Sequence, residues 1–265
     1  MESHRNSYSF HDENAIFEVS VLSSIGDRED QQDASGLYLK NKEGIIVIAD
    51  GMGGTAAGKM AADSAVHTII DAYSAQDYIA DIPAFLLNAA KDADKKIFNF
   101  QDVNAQKIDA GSTVVASMIR ENNLFWISVG DSRLYIIREG TILQLTQDHN
   151  YASVLQDGLR CGAITQEDVE QEREKGEALV SYLGLGELLL TDQNTDRLPL
   201  KKDDILIMMT DGLYKILTDK EIENVLGNFR NIEDAASVLE QKAKKTALKG
   251  QQNRDNTTFV IIKVK

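Results

Sequence analysis

Apolar residues fall in short runs separated by turn residues. Residues 17–22, 45–49, 114–119, 124–129, 134–137, 205–209 and 259–264 are apolar and rich in β-branched side chains, and they read as strands. Between residues 113 and 145 only turn-like gaps separate the runs: Arg120-Glu121-Asn122-Asn123, Gly130-Asp131-Ser132 and Glu139-Gly140. That spacing leaves no room for crossover helices and predicts an antiparallel meander. Helical spacing shows elsewhere. Ala57, Met60/Ala61, Ala65, Thr68/Ile69 and Ala72 recur every three or four residues, and Phe85 to Ile97 does so less cleanly. A third helix is predicted over 231–248, with Asn231 as its cap and Gly250 just past its end. Residues 150–190 are rich in Gly, Gln and Glu and weakly periodic; they read as an insertion with one short helix over 166–175. No composition break marks a linker. The expectation is an α+β fold in a single domain over 1–265, with two antiparallel sheets packed together and helices outside.

Charge narrows the function classes. Lys plus Arg number 28 against 42 Asp plus Glu, a net charge of −14. With no basic run beyond pairs such as Lys244-Lys245, nucleic acid is not an expected partner. The apolar runs are too short to cross a bilayer, so no membrane span is expected either. Residues 1–14 are polar and charged, lack the apolar stretch of a signal peptide, and read as a loose N-terminus. Cys161 is the single cysteine, which excludes an internal disulfide and suits a reducing compartment. The expected location is the cytoplasm.

Carboxylates stand at the ends of the apolar runs. The 45–49 run stops at Asp50-Gly51, the 205–209 run at Thr210-Asp211-Gly212, and the 124–129 run at Gly130-Asp131; Asp33 precedes the run over 34–39, and Asp255 precedes the last strand. Turn chemistry explains any one of them, since Asp side chains bond nearby backbone groups and Asp-Gly marks hairpins. As a set they invite a second explanation. After Asp50-Gly51 and Asp211-Gly212 the chain turns helical, so neither is a tight hairpin. Strand ends can converge on one rim, and carboxylates converging there repel one another unless a cation lies between them. The four histidines are scattered and the cysteine is alone, so no zinc spacing exists. Oxygen ligation suits Mg²⁺ or Mn²⁺.

The glycine-rich loop carries two partial nucleotide motifs. Gly53-x-x-x-x-Gly58-Lys59 fits most of a P-loop, but Met60 stands where the Ser or Thr should be. Gly51-x-Gly53-x-x-Ala56, with Asp71 twenty residues on, is close to a dinucleotide fingerprint, yet Asp50 would face the pyrophosphate. The antiparallel block after residue 113 also contradicts a doubly wound sheet. Close packing of helix on strand accounts for the small residues equally well.

Read in order, Gly26-Asp27-Arg28-Glu29-Asp30-Gln31-Gln32-Asp33, Ala49-Asp50-Gly51-Met52-Gly53-Gly54, Gly111-Ser112-Thr113, Val129-Gly130-Asp131-Ser132-Arg133-Leu134-Tyr135, Leu145-Thr146-Gln147-Asp148-His149, Thr210-Asp211-Gly212-Leu213 and Arg254-Asp255-Asn256-Thr257-Thr258 span nearly the whole chain. This set resembles the metal-dependent protein serine/threonine phosphatases of type 2C, in their bacterial form. The resemblance implies an α-β-β-α four-layer sandwich with two Mn²⁺ or Mg²⁺ ions at one edge of the sheets. By resemblance Asp50 bridges both ions, and the Gly51 carbonyl binds the second. Asp211 and Asp255 hold the first, and Asp33 supports the second. Asp131 matches a position that helps hold a weaker third ion, with Asp211 as candidate partner. Arg28 matches the arginine that grips substrate phosphate, a task that suits a guanidinium fork. Residues 150–190 match a variable flap beside the site.

The implied reaction is hydrolysis of phosphoserine and phosphothreonine by in-line attack of a hydroxide shared between the ions, whose pKa metal coordination lowers. Phosphoproteins are the implied partners, a serine/threonine kinase and its substrates among them. Three departures stand out. Met52 replaces a histidine that protonates the leaving group in eukaryotic relatives, so a water on the metals is the expected proton donor. Gln31-Gln32-Asp33 lacks the usual Asn or Glu, and Glu174-Lys175-Gly176-Glu177 replaces a frequent His-Pro pair. His149 reads as a buried structural histidine. Two other classes stay open: a phosphatase-like binding module without catalysis, and a P-loop-type nucleotide-binding protein.

Overall fold

A computed structural model describes residues 5–10, 17–40 and 43–265. In chain order the first strands are β1 (Arg5–Phe10), β2 (Phe17–Ser24), β3 (Asp33–Lys40) and β4 (Glu43–Met52), followed by helices α1 (Thr55–Ser74) and α2 (Ile82–Phe98). The middle of the chain forms β5 (Gly111–Ser112), β6 (Val114–Arg120), β7 (Asn123–Val129), β8 (Arg133–Arg138) and β9 (Thr141–Gln144). The insertion holds α3 (Tyr151–Arg160), α4 (Gln166–Gln171) and a 3₁₀ turn (Arg173–Lys175). The remainder comprises β10 (Asp192–Gln193), β11 (Leu198–Pro199), β12 (Ile205–Met209), α5 (Asp211–Tyr214), α6 (Asp219–Asn228), α7 (Ile232–Gly250) and β13 (Thr257–Val264).

Two antiparallel sheets form. One runs β1-β2-β13-β12-β8-β9. The other runs β10-β7-β6-β4-β3, with β5 beside β4 and β11 beside β7. The alternation of strand side chains explains why the runs are continuously apolar. Ile46 and Ile48 of β4 enter the core between the sheets with Val115, Leu206, Met208 and Val260. Ile45 and Val47 face the other way, into a core made with α1 and α2. On the first sheet Ile207, Met209, Phe259 and Ile261 pack under α6 and α7 against Ile222, Leu226 and Leu239. Strands buried on both faces cannot alternate apolar with polar residues. The result is the expected α-β-β-α sandwich.

Four expectations need correction. The 113–145 block is not one meander. The β6–β7 hairpin lies in one sheet and β8–β9 in the other. The chain changes sheets at Gly130, whose φ of 100° permits the turn and where an added Cβ would strike the Thr113 side chain. Part of the presumed loose N-terminus is an edge strand, since residues 5–10 pair antiparallel with β2; the rest of 1–14 lies outside the described residues, apart from this strand. The insertion holds a second helix, α3, with Leu155 its one buried residue, and the helix read over 166–175 breaks after Gln171. α7 begins as expected, with the Asn231 side chain accepting from the N–H groups of Glu233 and Asp234. Its last residue, however, is Gly250, and Gln251 takes the left-handed cap at φ 52°.

Candidate active site

Strand register gathers the aspartates. Asp33, at the start of β3, lies opposite Asp50 near the end of β4. Thr113, just before β6, locks to Asp50 from both sides: its N–H donates to the Asp50 carbonyl at 2.8 Å, and its Oγ1 accepts the Asp50 N–H at 3.0 Å. In the other sheet the end of β12 meets the starts of β13 and β8, with Met209 opposite both Phe259 and Arg133. Asp211 therefore leaves β12 beside the turns that carry Asp255 and Asp131. All these strand ends open on the same end of the sandwich. A cleft of about 480 Å³ lies there, lined by Asp50, Gly51, Asp131, Asp211 and Asp255, with Arg28 at its rim. Asp33 lines an adjoining cavity instead, but it acts electrostatically on Asp50 and feels Asp211 and Asp255.

The electrostatics show a concentrated negative charge. Burial, followed by repulsion from Asp33, Asp211, Asp131 and Asp255, raises the Asp50 carboxyl well above the usual range. Burial likewise pushes Asp33 up to about 7, against the lowering effect of its bonds to Thr210 and Thr258. Asp131 is pushed up to about 6, by burial and then by Asp211.

Several of these carboxylates lean on partners within the chain. Thr210 Oγ1 donates to Asp33 Oδ2 at 2.9 Å. Arg28 Nη2 stands 2.5 Å from Asp255 Oδ2, and the Asn256 N–H donates to Asp255 Oδ1 at 2.7 Å. Lys215 Nζ donates to Asp211 Oδ2 at 2.9 Å. Among the described residues no three His, Cys, Asp or Glu side chains are drawn together into a cage able to hold an ion. The donor set nevertheless fits divalent cations. Asp33 Oδ1 and Asp211 Oδ1 are buried with no hydrogen-bond partner. A buried carboxylate oxygen without a donor is costly, and a hard cation is the partner its chemistry calls for.

The loops around the site explain the small residues. An added Cβ on Gly51 would sit inside the Gly58 carbonyl group, so the glycine lets α1 approach the end of β4. This is the packing reading of the loop, and the antiparallel sheets leave no P-loop or dinucleotide fold around it. Asn256 braces the Arg28 loop: its Oδ1 accepts the Gln32 N–H, and its Nδ2 donates to the carbonyls of Ile25 and Asp30. His149 is structural, as expected. It is buried, its Nδ1 accepts the Gly130 N–H at 3.1 Å, and burial lowers its pKa. Cys161 is exposed on the flap.

Sequence reasoning missed Lys215 and Glu177, which line the cleft and pair at 2.6 Å, and Thr210, which holds Asp33. Lys215 carried a readable signal, since it follows Asp211 by one helical turn. Glu177 carried none, because the flap brings it back from another part of the chain.

Paired antiparallel sheets flanked by helices, with an aspartate-lined cleft at the strand ends, define the architecture, and comparison with known proteins names its class. The sequence profile of Protein phosphatase 2C matches residues 23–251. Serine/threonine phosphatase stp of Listeria welshimeri is 28% identical over 239 residues, covering 89% of this chain and 90% of that protein. The S. agalactiae serine/threonine phosphatase structure superposes with a TM-score of 0.81 at 26% identity, over 94% of this chain and 100% of that one. The catalytic domain of the serine threonine protein phosphatase PstP, solved in complex with 2 manganese ions, shares the fold with a TM-score of 0.73 at 24% identity, over 94% of this chain and 98% of that one. The chain belongs to the protein phosphatase 2C family. It is a protein serine/threonine phosphatase of the bacterial type.

Proposed function

We propose that the chain hydrolyses phosphoserine and phosphothreonine in proteins with two Mn²⁺ or Mg²⁺ ions held in the aspartate cleft. The observation that carries this reading is the pair of buried, unpartnered oxygens on Asp33 and Asp211, set beside an Asp50 carboxyl that burial and the neighbouring aspartates raise. Asp50, near the end of β4, would serve both ions, and the Gly51 carbonyl would bind the second. Asp211 and Asp255 would hold one ion, and Asp33 would support the other. Bound there, the ions would supply a hydroxide at neutral pH and a positive field for the phosphoryl oxygens.

The chain's own residues do the rest. Arg28, with its side chain 59% exposed at the rim, can swing its fork from Asp255 onto two phosphate oxygens. Thr113 fixes the Asp50 backbone through two bonds, so the carboxylate does not have to be organised when substrate arrives. Among the described residues that line the cleft none is a cysteine or histidine.

Phosphoproteins are then the partners, with a serine/threonine kinase and its substrates the natural counterparts. A cytoplasmic setting agrees with the single, free cysteine. Among the described residues no helix is long and apolar enough to cross a membrane. The test is hydrolysis of a phosphothreonine peptide with Mn²⁺. Activity should vanish in EDTA, and Asp50→Asn should lower kcat by at least about 10²–10³-fold. Undiminished turnover in EDTA refutes the reading. Tight peptide binding without turnover would favour a non-catalytic binding module instead.

A further inference from the structure

Lys215 is the second cation of the cleft. It follows the short helix α5, one turn beyond Asp211, and its side chain folds back over that turn. Its Nζ stands 2.9 Å from Asp211 Oδ2 and 2.6 Å from Glu177 Oε2 of the flap. Asp131 lines the same cleft as all three of these side chains. Two carboxylates thus bond one ammonium, and a third shares their cleft.

By family resemblance the Asp131 and Asp211 pair was the expected place of a weaker third metal ion. Carboxylates gathered in one cleft repel one another, and here the chain places a positive charge among them from its own side chain. An ammonium has three donors and no acceptor, so it can serve several carboxylates at once. It would also repel a divalent ion approaching the same oxygens.

We infer that the Lys215 ammonium is the resident cation of the Asp131–Asp211–Glu177 cluster, standing where a third divalent ion would otherwise bind. The loaded enzyme then holds two ions. Glu177 acts with Lys215 as a positioning residue, fastening the flap to the turn that carries Asp211. Lys215 bonds Asp211 Oδ2 and leaves Oδ1 free, so the arrangement does not consume the oxygen offered to the catalytic pair.

This inference rests on the two-metal reading of the site, and ion counting separates the two. The protein is stripped with EDTA, dialysed against rising Mn²⁺ into the millimolar range, and its bound Mn²⁺ is counted per chain. The free ion is followed in parallel by its room-temperature EPR signal. Wild type should saturate at two. Lys215→Gln, at a side chain 41% exposed, should take up a third and weaker ion. Adding Asp131→Asn to Lys215→Gln should return the count to two. A wild type that binds three ions overturns the inference alone, as does a Lys215→Gln variant that stops at two. A wild type that binds none overturns the two-metal reading and the inference with it.

Discussion

Glu240→Ala removes half of a charge pair that folding has taken out of water. Glu240 lies on α7, and its two oxygens accept from Arg254 Nη2 at 2.8 and 2.7 Å. Ser24 Oγ adds a third bond to Oε1 at 3.1 Å. The side chains are 5% exposed for Arg254 and 8% for Glu240, so solvent screening is small. Arg254 Nε already has no partner, which means no local acceptor stands ready to replace the carboxylate. Two charge-assisted bonds at about 1.5–3 kcal/mol each give roughly 3–6 kcal/mol. Stranding one member of a buried pair costs about 3–5 kcal/mol by direct comparison. The two routes agree on about 4 kcal/mol, a large share of the roughly 5–15 kcal/mol typical of a folded protein. In urea, with EDTA present throughout, a slope of about 2–3 kcal/mol/M converts that loss into a midpoint lower by roughly 1.3–2 M. Replacing both partners, as Glu240→Leu with Arg254→Met, should recover most of it, because the desolvation cost disappears with the charges. The reasoning is refuted if Glu240→Ala costs less than about 1 kcal/mol, or if the double variant is as unstable as the single one. A second effect should accompany the first. The Arg254 N–H donates to Asp27 Oδ2 at 2.9 Å and its carbonyl accepts the Asp27 N–H at 3.0 Å, so loosening Arg254 should raise KM through the neighbouring Arg28 and Asp255.

Two further outcomes follow from the site and the flap. Asp33 and Asp131 are raised from 3.8 to about 7 and about 6, so between about pH 4 and 7 the folded chain holds protons that the unfolded chain has released. Their contribution to stability is full below about pH 4 and lost as pH rises through 6–7; the Tm in EDTA should therefore fall from about pH 5 to 8, and an equal fall in Asp33→Asn would refute this. Asp94 of α2 is buried, and its Oδ1 accepts the N–H groups of Gly184 at 2.8 Å and Gly186 at 3.1 Å. Asp94→Ala should cost about 1–3 kcal/mol per orphaned donor and open residues 176–190 to limited proteolysis; an unchanged digestion pattern would show that the flap is anchored elsewhere.

The central strands were legible because burial on both faces writes itself as an unbroken apolar run, as at Ile45 to Ala49. The long helices were legible from their spacing, and α7 from the Asn231 cap. Helix α6 also left a signal, a Thr218–Glu221 capping box before Ile222, Val225 and Leu226, though its short apolar stripe is easily taken for loop. Helix α3 left the Asn150 cap, whose side chain accepts the Ser153 N–H, but it buries only Leu155 and so shows little of an apolar stripe. The N-terminal edge strand was hidden because residues 5–10 are mostly polar and become a strand through backbone pairing with β2.

The order of apolar runs and the aspartates at their ends determined the layers and which carboxylates meet at the strand ends, because a strand's length, its burial and the turn that ends it are local properties. Only the folded chain decided which sheet β8 joins, that Glu177 reaches Lys215, and that Glu240 meets Arg254. Those outcomes depend on register and on loops returning over long stretches of sequence. The energy of a charge pair comes from the distance and the dielectric between its members, and neither is written in the spacing of residues along the chain.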